Sequence, residues 1–215
     1  MSDQVKIKWQ GKILSIQPRT NVWRYILDNR THYHIGYNLF LEGSAEGNSG
    51  NSSQFVVAIS EKQQQNYDFH VGDEITGSAW TKKYPECEYA DYYRASAFKK
   101  ISTTVDENVN KKAPPWIISP PDMKTYEWRG ARMLSISSWK GKCFQCIWAN
   151  MANVTIEYDW GRIQKYRFES FCYGPKSCKL YKKGRSRGVP YKGKGTFYDE
   201  GWLDDICTEN RGYDD

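Results

Sequence analysis

Four cysteines in two close pairs, Cys143-Phe-Gln-Cys146 and Cys172-Tyr-Gly-Pro-Lys-Ser-Cys178, are the residues whose type and spacing best suit chemistry. A Cys-x-x-Cys turn directs two thiolates at one ion while its amides face the sulfurs, and the looser second loop, turned at Gly174-Pro175, can close on the same ion. Between the pairs lie 25 residues, Ile147 to Phe171. Of these, Val154–Asp159 and Ile163–Phe171 alternate around Trp160-Gly161 as a β-hairpin, which would bring both pairs together at its base. A site closed by four sulfurs leaves no position for water or substrate, so Cys143, Cys146, Cys172 and Cys178 are expected to hold a structural zinc ion. Iron–sulfur ligation uses the same residues and stays open, as do a redox pair at Cys143 and Cys146 and four reduced thiols. A thioredoxin-like use is disfavoured because no strand-helix unit puts Cys143 at a helix N-terminus. Cys87 and Cys207 read as ordinary buried thiols.

No catalytic residues are assigned. The three histidines, His32, His34 and His70, have no Cys or Asp at a recognisable catalytic spacing. His32 and His34 share one side of a predicted strand and read as surface residues. There is no phosphate-cradling glycine loop, nucleophile elbow or paired catalytic carboxylate.

Charge points instead to binding. The formal charge of +6 conceals an asymmetry: residues 199–215 carry seven acids against Arg211, a net of −6, which leaves +12 for the rest. Residues 161–198 hold eleven bases (Arg162, Lys165, Arg167, Lys176, Lys179, Lys182, Lys183, Arg185, Arg187, Lys192 and Lys194) against Glu169 alone. The stretch Lys179–Tyr198 interleaves these bases with glycines and tyrosines. Lys and Arg displace the counterions of a polyanion, and Tyr181, Tyr191 and Tyr198 can stack on unpaired bases. Single-stranded or structured RNA or DNA is the expected partner, and a protein-interaction adaptor with a structural zinc site is the alternative. The acid-rich end could fold over the patch and compete with nucleic acid.

The elements that must position these residues read as mainly β. Val5, Ile7 and Trp9 alternate with polar residues, and a strand bent at a Gly11 bulge runs to Ile16. Val22–Asp28 and His32–Leu41 then form a hairpin, followed by a polar loop over residues 43–53. Phe55–Ile59 is a strand, and Ser60-Glu-Lys-Gln63 has the spacing of a capping box for a helix to about Asn66. Val71–Trp80 and Arg94–Ile101 complete the set. This order resembles an OB-fold, a small β-barrel, over roughly residues 4–102. The resemblance implies oligonucleotide binding on strands two and three, which carry Trp23, Tyr25, Tyr33 and Tyr37.

Residues 104–115 lack periodicity and end in Pro114-Pro115, as a linker does. Beyond it, Asp122–Arg129 reads as a short helix and Met133–Ser137 as a strand leading to the first cysteine pair. The stretch Cys-Phe-Gln-Cys-Ile-Trp-Ala-Asn-Met, followed by Phe-Cys-Tyr-Gly-Pro-Lys-Ser-Cys, resembles a zinc ribbon of a kind met in uncharacterised bacterial proteins, over residues 130–215 at most. The expected organisation is an OB-like barrel (1–103), a linker (104–115), a smaller zinc-ribbon-like hairpin domain with a basic arm (116–198) and an acidic tail (199–215). At 39% hydrophobic and 15% aromatic residues, the core must be built largely from rings. No apolar run is long enough to span a bilayer and the first residues lack a signal-peptide core, so no membrane partner and a cytoplasmic location are expected.

Overall fold

The computed structural model describes residues 4–25, 30–47, 53–103, 119–158, 162–185, 189–191, 194–196 and 201–212. The chain is mainly β, with one large sheet. Strand β1 (Lys6–Tyr25) is a single 20-residue element where the sequence predicts two. Pro18, which suggests a break, pairs in register with Tyr37 of β2 (Arg30–Ala45). Proline donates nothing to a ladder but fits where no N–H is required. The bend is absorbed by register shifts between Ile13 and Ser15 and between Arg19 and Thr20, not at Gly11. Gly11 instead pairs with both Gly43 of β2 and Ile75 of β4 (Glu74–Thr81). A Cβ on Gly43 would stand 2.1 Å from the Gln10 carbonyl oxygen, so the backbones meet there at a distance only glycine permits.

Strand β3 (Ser53–Ile59) pairs antiparallel with β2. Helix α1 (Glu61–Tyr67) follows with the predicted capping box: Gln63 N–H donates to Ser60 Oγ at 3.2 Å, and Ser60 N–H donates to Gln63 Oε1 at 2.8 Å. Strand β4 pairs antiparallel with β1 and with β5 (Tyr92–Ser102), and β5 meets β3 in parallel at Val57 and Tyr92. The pairings thus return to their start in the order β1–β2–β3–β5–β4–β1. Inside, Trp9 meets Phe55 and Phe98 edge-on and Phe98 meets Phe69, a ring-built core with the exposed Tyr67 against its rim.

In the second half, α2 (Met123–Arg129) is capped by Asp122, whose carboxylate accepts from Thr125 N–H at 2.8 Å. The predicted strand at 133–137 is reduced to β6 (Arg132–Met133). The chain then turns helical, through α3 (Ile136–Ser138) and a π-helical turn at Trp139–Cys143. Burial overrides the alternation here: the helical turn brings Trp139, 4% exposed, against Phe40, Tyr89 and Phe144. Strands β7 (Ala149–Tyr158) and β8 (Ile163–Cys172) form the expected hairpin, with Cys172 opposite Ala149, and β6 pairs with β8.

The halves share one sheet. Residues Asn21–Tyr25 of β1 run parallel to Asn153–Glu157 of β7, which gives an eight-stranded order of β2-β3-β5-β4-β1-β7-β8-β6. One hydrophobic cluster runs through both halves. The predicted linker lies outside the described residues. The predicted acidic tail is, over residues 201–212, a docked element. In α4 (Gly201–Cys207), Asp204 is 6% exposed and accepts from Arg30 at 2.7 Å and from Met133 N–H at 3.0 Å. Beyond the helix, Arg211 donates to the carbonyls of Tyr173 and Gly174. Two short strands, β9 (Val189–Tyr191) and β10 (Lys194–Thr196), pair with each other. No helix among the described residues is long and apolar enough to cross a membrane.

Candidate metal centre and basic surface

The four cysteines lie at the base of the β7–β8 hairpin. Cys143 ends the π-helical turn, and Cys146 N–H donates to the Cys143 carbonyl at 3.0 Å, closing the tight turn of the first pair. Cys172 ends β8, and Cys178 N–H donates to the Pro175 carbonyl at 3.1 Å, which closes the second loop. Cys143, Cys146 and Cys172 are buried and Cys178 is half-buried.

The thiols sense one another across the two pairs. Burial pushes the Cys143 thiol up to about 11, with Cys172 and Cys178 adding to the effect. Burial also raises Cys146, helped by Cys172, Cys143 and Cys178 and opposed by a hydrogen bond from the Trp148 amide. Cys172 is raised by burial, against which stand Arg132 and the Gly174 amide, donating to its sulfur at 3.3 Å. Amides aimed at sulfur, one in each pair, and a guanidinium beside Cys172 are groups that stabilise thiolates. Even so, among the described residues no three His, Cys, Asp or Glu side chains stand as a ready ligand cluster. The sulfurs share a neighbourhood without forming a coordination shell.

Two supports of this region have no signal in the sequence. Gln17, fully buried on β1, donates through Nε2 to the carbonyls of Cys143, Phe144 and Cys146 at 3.2, 2.8 and 3.2 Å, while its Oε1 accepts from Trp139 Nε1. It ties the Cys-x-x-Cys turn to the first half from well over a hundred residues away. Gln17→Leu keeps the volume and leaves these buried polar groups short of a partner, an expected loss of about 1–3 kcal/mol in urea unfolding. The second support is Arg132, which donates to the Gly174 and Pro175 carbonyls and stacks on Tyr181 with its guanidinium carbon 3.9 Å from the ring centroid.

His32 and His34 are not surface residues. Both are half-buried in the seam between β2 and the second half, where His32 meets Phe171 and Tyr173 and His34 meets Tyr126 and Tyr173. A hydrogen-bonded chain runs from His32 Nδ1 through the Tyr173 hydroxyl and Thr20 Oγ1 to His34 Nδ1. Burial lowers the pKa of His34 to about 4 and that of His32 well below its ordinary value, so both rings are neutral at neutral pH. The same seam holds a buried ion pair in which Arg24 donates to Glu169 from Nε and Nη2, and Arg167 binds the other oxygen of that carboxylate.

The predicted basic surface is partly in view. Arg162, Lys165, Lys179, Lys182, Lys183 and Arg185 are exposed, Lys176 is half-buried, and Arg167 is engaged with Glu169. The start of the basic arm is pinned to the sheet edge: Ser135 N–H donates to the Lys182 carbonyl, Gly184 N–H donates to the Met133 carbonyl, and Lys183 bridges Leu134. Tyr181 is engaged too, with Arg132 over its ring and its hydroxyl donating to the Met133 carbonyl at 2.9 Å. Tyr181 is half-buried, with one face of its ring taken by Arg132. The side chains of Arg187, Tyr191, Lys192, Lys194 and Tyr198 lie outside the described residues. Of the rings predicted on strands two and three, Tyr37 is buried with its hydroxyl on the Pro121 carbonyl, Trp23 is half-buried and Tyr33 is 50% exposed. By register Trp23 and Tyr33 lie diagonally on one face of the β1–β2 ladder, and the Tyr25 side chain lies outside the described residues.

No protein-family model matches the chain, and comparison with curated proteins and with solved structures finds no match.

Proposed function

We propose that the protein binds nucleic acid without catalysis, through a basic surface held in place by a structural zinc ion on Cys143, Cys146, Cys172 and Cys178. The first half is read as an OB-type barrel, on the strength of its strand pairings and of a helix between the third and fourth strands. For zinc, the support is the donor set: four thiols from two turns at the base of one hairpin, with amides and Arg132 arranged to stabilise negative sulfur.

The observation that carries the binding reading is the pinned arm. Lys182, Lys183 and Arg185 are exposed on a segment fixed to the sheet edge directly after the second cysteine pair, so their charges are held in place rather than on a free tail. Gel-shift titration of single-stranded, duplex and structured RNA and DNA tests this. Replacing Lys182, Lys183, Arg185 and Arg187 by alanine is expected to weaken binding and flatten its salt dependence by roughly 0.7–0.9 log units for each phosphate that is no longer neutralised. No binding by the intact protein at low salt, or an unchanged variant, would favour the protein-interaction adaptor instead.

A further inference from the structure

A second charged site lies in the first half, where the end of β3 and the start of α1 face the loop between β4 and β5. Arg19, Lys83, Tyr84, Glu88, Tyr93 and Arg94 line a cavity of 490 Å³ there. Three of them are cations and one is an acid, and that acid is already in use: one Glu88 carboxylate oxygen accepts the backbone N–H groups of Lys83 and Tyr84 and so holds the loop in shape. Asp91, the next acid along the loop, is paired with Lys82 and accepts from Val56 N–H. The cavity therefore has a positive excess that its own acids do not cancel.

Arg19 is the unusual member. It reaches the cavity from the middle of β1, donates from Nη2 to the Ile35 carbonyl at 3.0 Å and lies over the Tyr93 ring at 5.8 Å. Its Nε is buried with no hydrogen-bond partner. Burial is the main influence on its pKa, pulling it down, with Tyr93 and Glu88 opposing. An arginine stays charged regardless, so here a half-buried cation has one desolvated N–H and no carboxylate in direct contact. Tyr93 adds a neutral phenol: its oxygen accepts from Ala90 N–H, which leaves its own proton free to donate into the cavity. Arg94 has φ at 52° where the β4–β5 register shifts between Ser78 and Trp80, a bulge that turns its exposed side chain relative to the flanking strand residues, as a second register shift does at Ala97.

We propose that this cavity is a phosphate-binding pocket, in which Arg19, Lys83 and Arg94 neutralise the phosphate oxygens and the Tyr93 hydroxyl donates to them. The excess of positive charge suits a phosphate better than a monocarboxylate, and forked guanidinium donors match phosphate geometry. Tyr84, 39% exposed at the rim with Lys83 over its ring, offers a face to whatever the phosphate is attached to. The site is separate from the arm that follows the second cysteine pair and does not depend on that reading.

Calorimetric titration of the full chain with inorganic phosphate, against chloride at matched ionic strength, is expected to show saturable binding. Arg94→Gly removes one cation while keeping the backbone conformation, so it is expected to melt no lower than the intact protein and to bind phosphate about tenfold more weakly. Arg19→Lys keeps the charge but loses the fork, and is expected to weaken binding as well. The two sources of the phosphate separate in a second titration: a 5′-phosphorylated oligonucleotide that outbinds its 5′-hydroxyl form and a nucleoside monophosphate points to a strand end. A monophosphate that binds as well as the oligonucleotide points to a small phosphorylated ligand. The variant lacking charges at 182, 183, 185 and 187 is expected to bind inorganic phosphate normally, so the two readings fail independently. Absence of saturation beyond the chloride control, or an Arg94→Gly protein with unchanged phosphate affinity, overturns the pocket.

Discussion

Protein prepared without added metal is expected to carry about one zinc ion per chain, and losing it is expected to be among the most damaging changes the fold can suffer. In small zinc domains the binding free energy is folding free energy, on the order of 10 kcal/mol. Here the hairpin also leans on β1 and the shared core, so only part of that is at stake. Chelation, or Cys146→Ser, is expected to lower the urea midpoint by an amount equivalent to several kcal/mol. The β7–β8 hairpin should become sensitive to protease before the five strands that pair from β1 round to β4. Nucleic-acid affinity should fall with an unchanged salt slope, because every phosphate keeps its cation. Metal analysis that finds neither zinc nor iron, or a Cys146→Ser protein that unfolds with the intact one, defeats the site.

Glu169→Gln is expected to be of similar severity for a different reason. Glu169 is 1% exposed and its carboxylate binds both Arg24, itself buried, and Arg167, so Gln removes the charge that two guanidiniums share in a poorly solvating interior. Breaking a buried pair from one side costs about 3–5 kcal/mol. The pH dependence separates lost charge from lost packing. Burial pushes the Glu169 carboxyl up, but Arg24 and Arg167 outweigh it and hold the pKa below 4.5, the ordinary value. A carboxyl depressed in the folded state contributes its stability above the unfolded pKa and loses it as pH falls through the folded one. The gap in stability between intact protein and variant should therefore be full at neutral pH and shrink below 4.5. A gap of constant size down to acid-induced unfolding would mean that shape, not charge, was lost.

The parts of this fold that could be read from sequence are those in which neighbours decide. Ser60 and Gln63 are three residues apart and cap each other, Asp122 caps the helix it precedes, and the alternation on either side of Trp160-Gly161 forms the hairpin. What could not be read is decided at long range. Nothing local indicates that Pro18 lies within a continuous strand, that the 133–143 stretch turns helical to bury Trp139, or that Asp204 leaves the acid-rich end to meet Arg30. The same division holds for the sites. The cysteine spacing was legible because both turns are local. Gln17 beneath the first turn, Arg132 beside Cys172 and Arg19 in its cavity were not, since each acts across a gap that only the folded sheet closes.

Strand β1 has one further consequence, which concerns synthesis rather than the finished molecule. The circuit of five strands that begins at its first half is complete once Ser102 has been made, but Asn21–Tyr25 must wait for Glu157, 55 residues later. At roughly 5–20 residues per second, the far edge of β1 is left without β7 for about 3–11 s. A long strand with an open edge is a template for pairing with another chain. The nascent protein thus passes through a vulnerable interval set by translation speed, and slower elongation after residue 102 would lengthen its exposure to aggregation while leaving the native state unchanged.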